Sequence, residues 1–188
     1  MELGRRVRSV AADQVVTDDG TERAASVVVA VEGPAAVELL GLPPVASKSV
    51  GAVYFAADEA PIDDRLVVLD GRGGPVLNAA VMSNVARSYA PDGRHLVVAA
   101  LPGRVEGDLE HTARLALREW WGDQVDGWEH LRTYRIAHGQ PGQVPPFHPK
   151  RSVTTDVGVF VCGDHRDTAS IQGALYSGRR CAAAVLAR

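Results

Sequence analysis

The sequence has 188 residues, 46% hydrophobic and 23% charged, which is typical of a folded globular chain long enough to bury a core. Its 20 Lys and Arg residues against 23 Asp and Glu residues, with no long basic run, argue against a nucleic-acid partner. Neither the two cysteines nor the six histidines show metal-ligand spacing, and no apolar run is long enough for a signal peptide or a membrane span. We therefore expect a cytoplasmic protein with two reduced thiols, no metal and no membrane span.

The amino-terminal segment predicts short strands and one helix. The strands are predicted at residues 5–10, 14–17 and 26–31, with a turn at 18–20, and the helix at 35–40. The run Ser26–Val31 is apolar after its first residue, which is typical of a strand buried on both faces. Gly41 and Pro43-Pro44 end the predicted helix.

From Ser49 to Leu101 the hydrophobic pattern is that of a sheet. The strands, separated by turns rich in Gly, Pro and Asp, are predicted at residues 50–57, 65–70, 76–84 and 95–101. An antiparallel meander fits this spacing best. Residues 108–121 carry apolar side chains on one helical face before Gly122, so we predict an amphipathic helix that covers the sheet. A strand at 130–136 then leads into 139–146, which is too rich in Pro and Gly for regular structure.

The carboxy-terminal segment predicts a strand at Val157–Val161, the dipeptide Gly163-Asp164, a polar loop and a helix at about 170–187. We expect the strand to share a sheet with Val27–Val31, since both are short and apolar. We also expect the helix to pack on that sheet through a stripe at i, i+3, i+4 and i+7 spacing, formed by Ile171, Ala174, Leu175, Gly178, Cys181, Ala182, Val185 and Leu186.

The junction between this strand and helix has the chemistry of a polyol-binding site. Gly163 allows close backbone approach, and the Asp164 carboxylate can accept hydrogen bonds from sugar-like hydroxyls. The helix start near Ser170–Gly173 offers free N–H groups and the positive end of a helix dipole. Together these groups suit a polyol that lies next to an electron-rich ring.

The segment Val159–Ala183 resembles the closing FAD motif of the flavin amine oxidase, protoporphyrinogen oxidase and phytoene desaturase superfamily. In that family the carboxylate after the strand contacts the ribityl chain or its neighbouring phosphate, and the helix start points at the pyrimidine edge of the isoalloxazine. The resemblance therefore implies FAD as the cofactor. By the same resemblance, the residues that bind it are Gly163, Asp164, Ser170, Ile171, Gln172, Gly173 and Ala174.

The resemblance extends beyond this motif, with one departure. Residues 19–40 are similar to the family's hairpin, strand and helix that return to the FAD sheet, and residues 49–101 are similar to its substrate domain. The family opens with a strand, a Gly-x-Gly-x-x-Gly turn and a helix, and this sequence has none. The nearest match, Gly71–Val76, has Val76 where the third glycine belongs, and we interpret it as a hairpin turn.

Several local interpretations stay open. Gly163-Asp164 also fits a plain βα junction in which Asp164 only caps a helix. The tripeptide His165-Arg166-Asp167 fits a catalytic loop or, with more support from surface statistics, a solvated loop. Tyr134 and Trp128 fit the wall of a substrate pocket or, more commonly, a packed core. No residue is assigned as a catalytic acid or base.

The predicted fold class is α/β with α+β character. Residues 1–44 and 152–188 are expected to form part of a Rossmann-like FAD-binding domain. Residues 45–151 are expected to form a substrate domain built on an antiparallel or mixed sheet, so that the chain crosses between the domains twice.

The function implied by the resemblance is that of a FAD-dependent, amine oxidase-like oxidoreductase. Such an enzyme transfers hydride from a C–N or C–C bond of a small-molecule substrate, for example an amine or an isoprenoid-like compound, to the flavin. Because the dinucleotide turn is missing, the chain is expected to be the carboxy-terminal part of such an enzyme. Two alternatives stay open: a truncated or degenerate non-catalytic binding module, and one half of a split flavoenzyme whose partner is a separate amino-terminal FAD-binding half.

Overall fold

The computed structural model describes residues 1–188, which divide into two compact units. The first unit consists of Met1–Ser47 together with Gln140–Arg188, and the second consists of Lys48–Gly139. The chain therefore passes from one unit to the other twice. Both boundaries fall within strands, close to the start of Ser47–Ala57 and close to the end of Glu129–Pro141.

The first unit contains five short strands and two helices. The strands are β1 (Val7–Ala11), β2 (Gln14–Thr17), β3 (Gly20–Arg23), β4 (Val28–Val29) and β10 (Phe160–Val161). The helices are α1 (Gly33–Leu40) and α4 (Ile171–Leu186). Strands β1, β2 and β3 form an antiparallel sheet, whereas β4 and β10 form a separate parallel pair.

The pairing of β4 with β10 confirms that the two apolar segments share a sheet. Phe160 lies opposite Val28, and the Phe160 N–H donates to the Val27 carbonyl at 2.9 Å. The prediction that the first of these strands is buried on both faces is wrong, because Val27 and Val29 are buried while Val28 is 44% exposed. Alternate side chains of a strand point to opposite faces, and this unit covers only one of them.

The packing face of α4 agrees with the predicted stripe only in part. Cys181 is buried and Val185 packs against the same cluster, as predicted. The other buried residues are Gly173 and Ser177, whereas Ile171 is 78% exposed and Leu175 is 68% exposed. The small side chains let the helix backbone come close to the segment that follows β10. A hydrophobic pattern weights large side chains and therefore selected the neighbouring face.

The second unit is built on one five-stranded sheet with the strand order β6-β7-β8-β5-β9. Its elements are β5 (Ser47–Ala57), β6 (Val67–Leu69), β7 (Asn78–Val81), α2 (Met82–Val85), β8 (His95–Pro102), α3 (Leu109–Trp121) and β9 (Glu129–Pro141). The pairs β6–β7, β7–β8 and β5–β8 are antiparallel.

The sheet departs from a simple meander in the position of β5. A meander would place β5 beside β6, but β5 pairs with β8 over eight residues, from Val50 opposite Pro102 to Ala57 opposite His95. A second difference is α2, which lies where the sequence predicts the end of a strand. The Asn84 side-chain amide donates to the Ile62 carbonyl at 2.7 Å, a contact that favours the turn over continued pairing.

Helix α3 covers the sheet of the second unit, as its amphipathic pattern predicts. The Asp108 carboxylate accepts from the His111 N–H at 2.9 Å and caps the helix start. The apolar face of α3 joins a cluster that includes the fully buried Phe55 and Trp128, which is 6% exposed. Trp128 is therefore a core residue, whereas Tyr134 is 43% exposed and stacks edge-on against Tyr54 at 5.5 Å.

No helix of either unit has the length and the apolar character that a membrane span requires.

Two leucines of α3 provide a matched test of this core. Leu117 is fully buried and Leu115 is 54% exposed. Leu117→Ala should lower the free energy of unfolding of the second unit by about 3 kcal/mol, because it leaves a cavity, and Leu115→Ala by less than about 0.5 kcal/mol. Urea titration followed by tryptophan fluorescence reports on this unit, since Trp120, Trp121 and Trp128 all lie within it. Equal losses for the two variants would contradict the packing described.

Candidate functional site

The junction between β10 and α4 holds the residues for which the sequence predicts a role. Directly after β10, Gly163 adopts φ 149° and ψ 170°, a conformation that side-chain-bearing residues rarely accept. A Cβ atom at this position would lie 2.6 Å from two ring atoms of His165 and 3.2 Å from the Val31 carbonyl oxygen. The backbone can take this path only because residue 163 is glycine.

The hydroxyl of Ser177 fixes Gly163 from the side of α4. Ser177 is fully buried, and its Oγ accepts from the Gly163 N–H at 2.9 Å. The same oxygen lies 2.8 Å from the Gly163 carbonyl oxygen and 2.9 Å from that of Ala174, so its single proton has an acceptor on either element. This contact ties the middle of α4 to the end of β10.

Asp164 begins a single 3-10 turn, Asp164–Arg166, and its side chain is half-buried. Its carboxylate accepts no hydrogen bond and forms no ion pair in the structure. The alternative in which Asp164 caps a helix has no side-chain contact to support it here. A carboxylate without a protein partner is free to accept from a ligand hydroxyl.

Ser170 is the residue that caps α4. Its Oγ accepts from the Gly173 N–H at 2.9 Å, and its carbonyl accepts from the Ala174 N–H at 3.0 Å. The N–H groups of Ile171 and Gln172 have no protein partner, as expected at the first turn of a helix. The exposed start of α4 therefore presents two free donors at the positive end of the helix dipole.

Gly173 is confined by the loop that precedes the helix. A Cβ atom at this position would overlap the Thr168 carbonyl oxygen and lie 2.7 Å from the Thr168 Oγ1. The start of α4 therefore lies against the backbone at Thr168, a contact that requires glycine.

The tripeptide His165-Arg166-Asp167 lies in the loop that joins β10 to α4. It packs against the protein, so its interpretation as a solvated loop is wrong. His165 is only 3% exposed, and the Asp167 side chain, 9% exposed, pairs with Arg180 at 3.1 Å. Arg180 also donates to the carbonyls of Arg151 and Arg166, at 2.9 Å each. The Arg180 guanidinium thus bonds to two backbone carbonyls and one carboxylate, and these bonds hold the charged loop against the protein surface.

His165 is a buried imidazole whose Nδ1 and Nε2 both lack a hydrogen-bond partner. Burial lowers the pKa of His165 below its usual value of 6.5, and the positive charge of Arg166 lowers it further. At neutral pH the ring is therefore uncharged, with one donor and one acceptor that are both unused.

A cavity of about 260 Å³ lies beside this loop, within the first unit. Asp164, His165 and Asp167 line it, together with the segments 44–46 and 141–147. The two segments are joined by a hydrogen bond from the Gly142 N–H to the Ala46 carbonyl, at 2.6 Å. Of the predicted site residues, only Asp164 lines the cavity, whereas Ser170, Ile171, Gln172, Gly173 and Ala174 form the separate helix start.

Sequence reasoning missed two parts of this site. The sequence predicts an ordered loop or a linker at residues 139–146, and the Pro and Gly content of this segment gives no sign that residues 141–147 line a cavity. The charged neighbours of His165 favour a surface position, and only its place directly after Gly163-Asp164 indicates a role.

Residues 1–186 match the family model of the flavin containing amine oxidoreductases, and the chain belongs to that family. This confirms the resemblance stated on the residues Val159–Ala183, and the flavin-containing family supports FAD as the cofactor. None of the curated proteins compared with the sequence matches it.

Solved structures show the same fold at low sequence identity. An oxidoreductase from Methanosarcina mazei is 16% identical with a TM-score of 0.63, and the match covers 96% of this chain and 49% of that one. Putrescine oxidase bound to putrescine is 18% identical with a TM-score of 0.65, over 98% of this chain and 49% of that one. Glycine oxidase from Geobacillus kaustophilus is 19% identical with a TM-score of 0.60, over 97% of this chain and 47% of that one.

These matches confirm the predicted α/β class with α+β character, in which helices accompany a parallel pair in one unit and an antiparallel sheet in the other. The chain spans about half the length of the solved structures that it matches.

The residues present fit a flavin nucleotide on two structural observations. The Asp164 carboxylate has no protein partner, and the start of α4 has two free N–H groups. A ribityl chain requires acceptors for its hydroxyls, and a flavin pyrimidine edge requires donors, which are the groups that this junction leaves unused.

Alanine substitutions at two glycines of α4 distinguish the effect of close packing on stability from the effect of helix propensity. Gly173→Ala should destabilise the first unit by about 1–3 kcal/mol, because its methyl group overlaps the Thr168 backbone. Gly178→Ala should stabilise it by about 0.5–1 kcal/mol, because nothing lies within 4 Å of the added atom and alanine favours the helix. Thermal melts followed by circular dichroism at 222 nm measure both. A neutral Gly173→Ala would show that α4 does not lie against Thr168.

The buried imidazole predicts a pH dependence of stability. Because the unfolded chain binds a proton at His165 more readily than the folded one, stability is complete above pH 6.5 and decreases as the pH falls below 6.5 toward the lowered pKa. The protection of α4 amides against hydrogen exchange should therefore decrease as the pH falls. Protection is the observed exchange rate compared with the intrinsic rate at the same pH. His165→Asn should reduce this dependence, and His111→Asn, at an exposed histidine, should not. The same dependence in all three proteins would contradict the assignment.

Proposed function

We propose that this chain forms the carboxy-terminal part of a FAD-dependent oxidoreductase that removes hydride from a C–N or C–C bond of a small-molecule substrate. The observation that carries the proposal is the junction 163–174, where an unpaired carboxylate and two free N–H groups stand on either side of a loop. The family match over residues 1–186 supports it.

Asp164 would accept hydrogen bonds from the ribityl hydroxyls or from groups next to the adjoining phosphate. The absence of a competing protein donor supports this role, because a carboxylate already held by arginine, as Asp167 is by Arg180, would have to exchange partners.

The start of α4 would hold the pyrimidine edge of the isoalloxazine ring. The N–H groups of Ile171 and Gln172, together with the helix dipole, would stabilise negative charge at the flavin N1 and C2 carbonyl. Ser170 supports this arrangement from behind, because its hydroxyl takes the Gly173 N–H and leaves the two preceding donors free. When bound, FAD supplies the redox chemistry by accepting hydride at N5.

The pyrophosphate of the cofactor requires a glycine-rich turn that this chain does not contain. We therefore propose that an amino-terminal FAD-binding half supplies it. The exposed apolar residues Val28, Val31, Ile171 and Leu175 support the proposal, because they leave one face of β4 and one face of α4 uncovered. Covering an exposed Leu or Ile side chain stabilises a complex by about 1.5–3 kcal/mol before the costs of association.

Asp164→Ala tests the cofactor site. The chain alone should elute colourless from gel filtration, so the titration uses the chain combined with an amino-terminal half that carries the glycine-rich turn. The substitution removes a charge-assisted hydrogen bond worth about 1.5–3 kcal/mol, and FAD affinity should fall about ten- to a hundredfold. The melting temperature should not change.

Asp156→Ala is the matched control, since Asp156 is an exposed carboxylate of the same unit. It should leave both affinity and melting temperature unchanged. An unchanged dissociation constant for Asp164→Ala, with stability lowered by about 1 kcal/mol, would instead make Asp164 a structural cap and remove it from the site.

A further inference from the structure

The two cysteines of the chain, 19 positions apart, belong to one cluster of side chains. Cys181 on α4 is 2% exposed and packs with Phe160 and Val153, and the half-buried Cys162 packs against the same cluster. Side chains alternate along a strand, so Phe160 and Cys162 point toward α4 while Val161 belongs to the cluster on the other face.

Neighbouring contacts hold the two thiols in this position. Ser177, one helical turn before Cys181, bonds to the backbone of Gly163, which is the residue after Cys162. The helix therefore lies against the backbone next to residue 162. Cys162 packs against the same side-chain cluster that encloses Cys181.

We infer that Cys162 and Cys181 form an oxidation site, which hydrogen peroxide or an organic hydroperoxide converts to an intramolecular disulfide. In the first step the Cys162 sulfur attacks the peroxide, the O–O bond breaks, and a sulfenic acid and water (or an alcohol) form. In the second step the Cys181 sulfur attacks the sulfenic sulfur, the S–S bond forms, the S–O bond breaks, and a second water leaves. Two thiols are thus oxidised by two electrons, and the peroxide is reduced.

The different environments of the two thiols set the order of these steps. Cys162 is half-buried and can meet a small oxidant, whereas Cys181 is almost completely enclosed. Burial raises the pKa of Cys181 to about 11, and the neighbouring Cys162 adds to the effect, so both its reaction with peroxide and its later attack are slow at neutral pH. Enclosure keeps the peroxide away from Cys181, whereas a sulfenic acid at Cys162 forms within the same cluster of side chains.

The disulfide would close a loop around the candidate site. The 18 residues from Gly163 to Arg180 contain Asp164, the buried loop and the first turns of α4. A cross-link at both ends of this segment restricts its opening without adding a group to the site. The inference does not depend on flavin binding, since it concerns only the two thiols and their neighbours.

Treatment of the purified chain with hydrogen peroxide tests the inference. Both free thiols should disappear in a denaturing thiol assay, the intact mass should decrease by two hydrogens, and the chain should remain a monomer. A tryptic digest without reductant should join the peptides 152–166 and 181–188, and dithiothreitol should separate them. The melting temperature should rise on oxidation and return on reduction.

Single variants assign the roles. In Cys181→Ser the sulfenic acid at Cys162 should persist and be trapped by dimedone, and in Cys162→Ser the Cys181 thiol should survive the same treatment. An oxidised wild-type chain that keeps both thiols, links only to other chains or carries a sulfinic acid without the joined peptides would overturn the inference. The peptide map of the wild-type chain decides the matter even if a variant does not fold.

Discussion

The buried hydroxyl of Ser177 determines where α4 lies. Because it bonds to both backbone groups of Gly163, it fixes the helix at one point along the exit from β10, and the approach is close enough that only small side chains fit. Gly173 and Cys181 lie one turn to either side of this contact. The helix start, with its two free N–H groups, is positioned by this contact together with that of Gly173 against the Thr168 backbone.

The close approach has a cost on the opposite side of the helix. Because α4 packs against the protein through its small residues, its large apolar residues Ile171 and Leu175 are exposed to solvent. The same is true of Val28 on β4, whose neighbours Val27 and Val29 are buried. The partner strand β10 is covered on both faces, since Phe160 is buried in one cluster and Val161 in another. The first unit therefore leaves apolar surface open on β4 and α4, in contrast to the second unit, whose sheet and α3 enclose one continuous core.

The sequence predicted the order of the elements well and their faces less well. Strands β2, β5 and β8 and helix α3 were predictable because local alternation and a helical apolar stripe are properties of short windows. The position of β5 between β8 and β9 depends on pairing between distant residues, which no local pattern encodes. The packing face in the first half of α4 was mispredicted because hydrophobic periodicity ranks Leu175 above Ser177, whereas close approach of the backbones requires the smaller side chain. The burial of His165 was unpredictable for a related reason, since its neighbours Arg166 and Asp167 are held by Arg180, which lies 14 and 13 positions further along the chain.

The ion pair of Arg180 with Asp167 also determines how the candidate site responds to ionic strength. Ion pairs of the β1–β3 sheet, such as Arg23 with Asp13, have side chains that are 75% and 59% exposed, so dissolved ions screen them readily. The Asp167 carboxylate is 9% exposed and shares its guanidinium with two backbone carbonyls, where counter-ions cannot easily enter. Raising the ionic strength should thus loosen the amino-terminal hairpins well before it disturbs the loop at Asp164, so the loop keeps its shape over a wide range of salt concentrations.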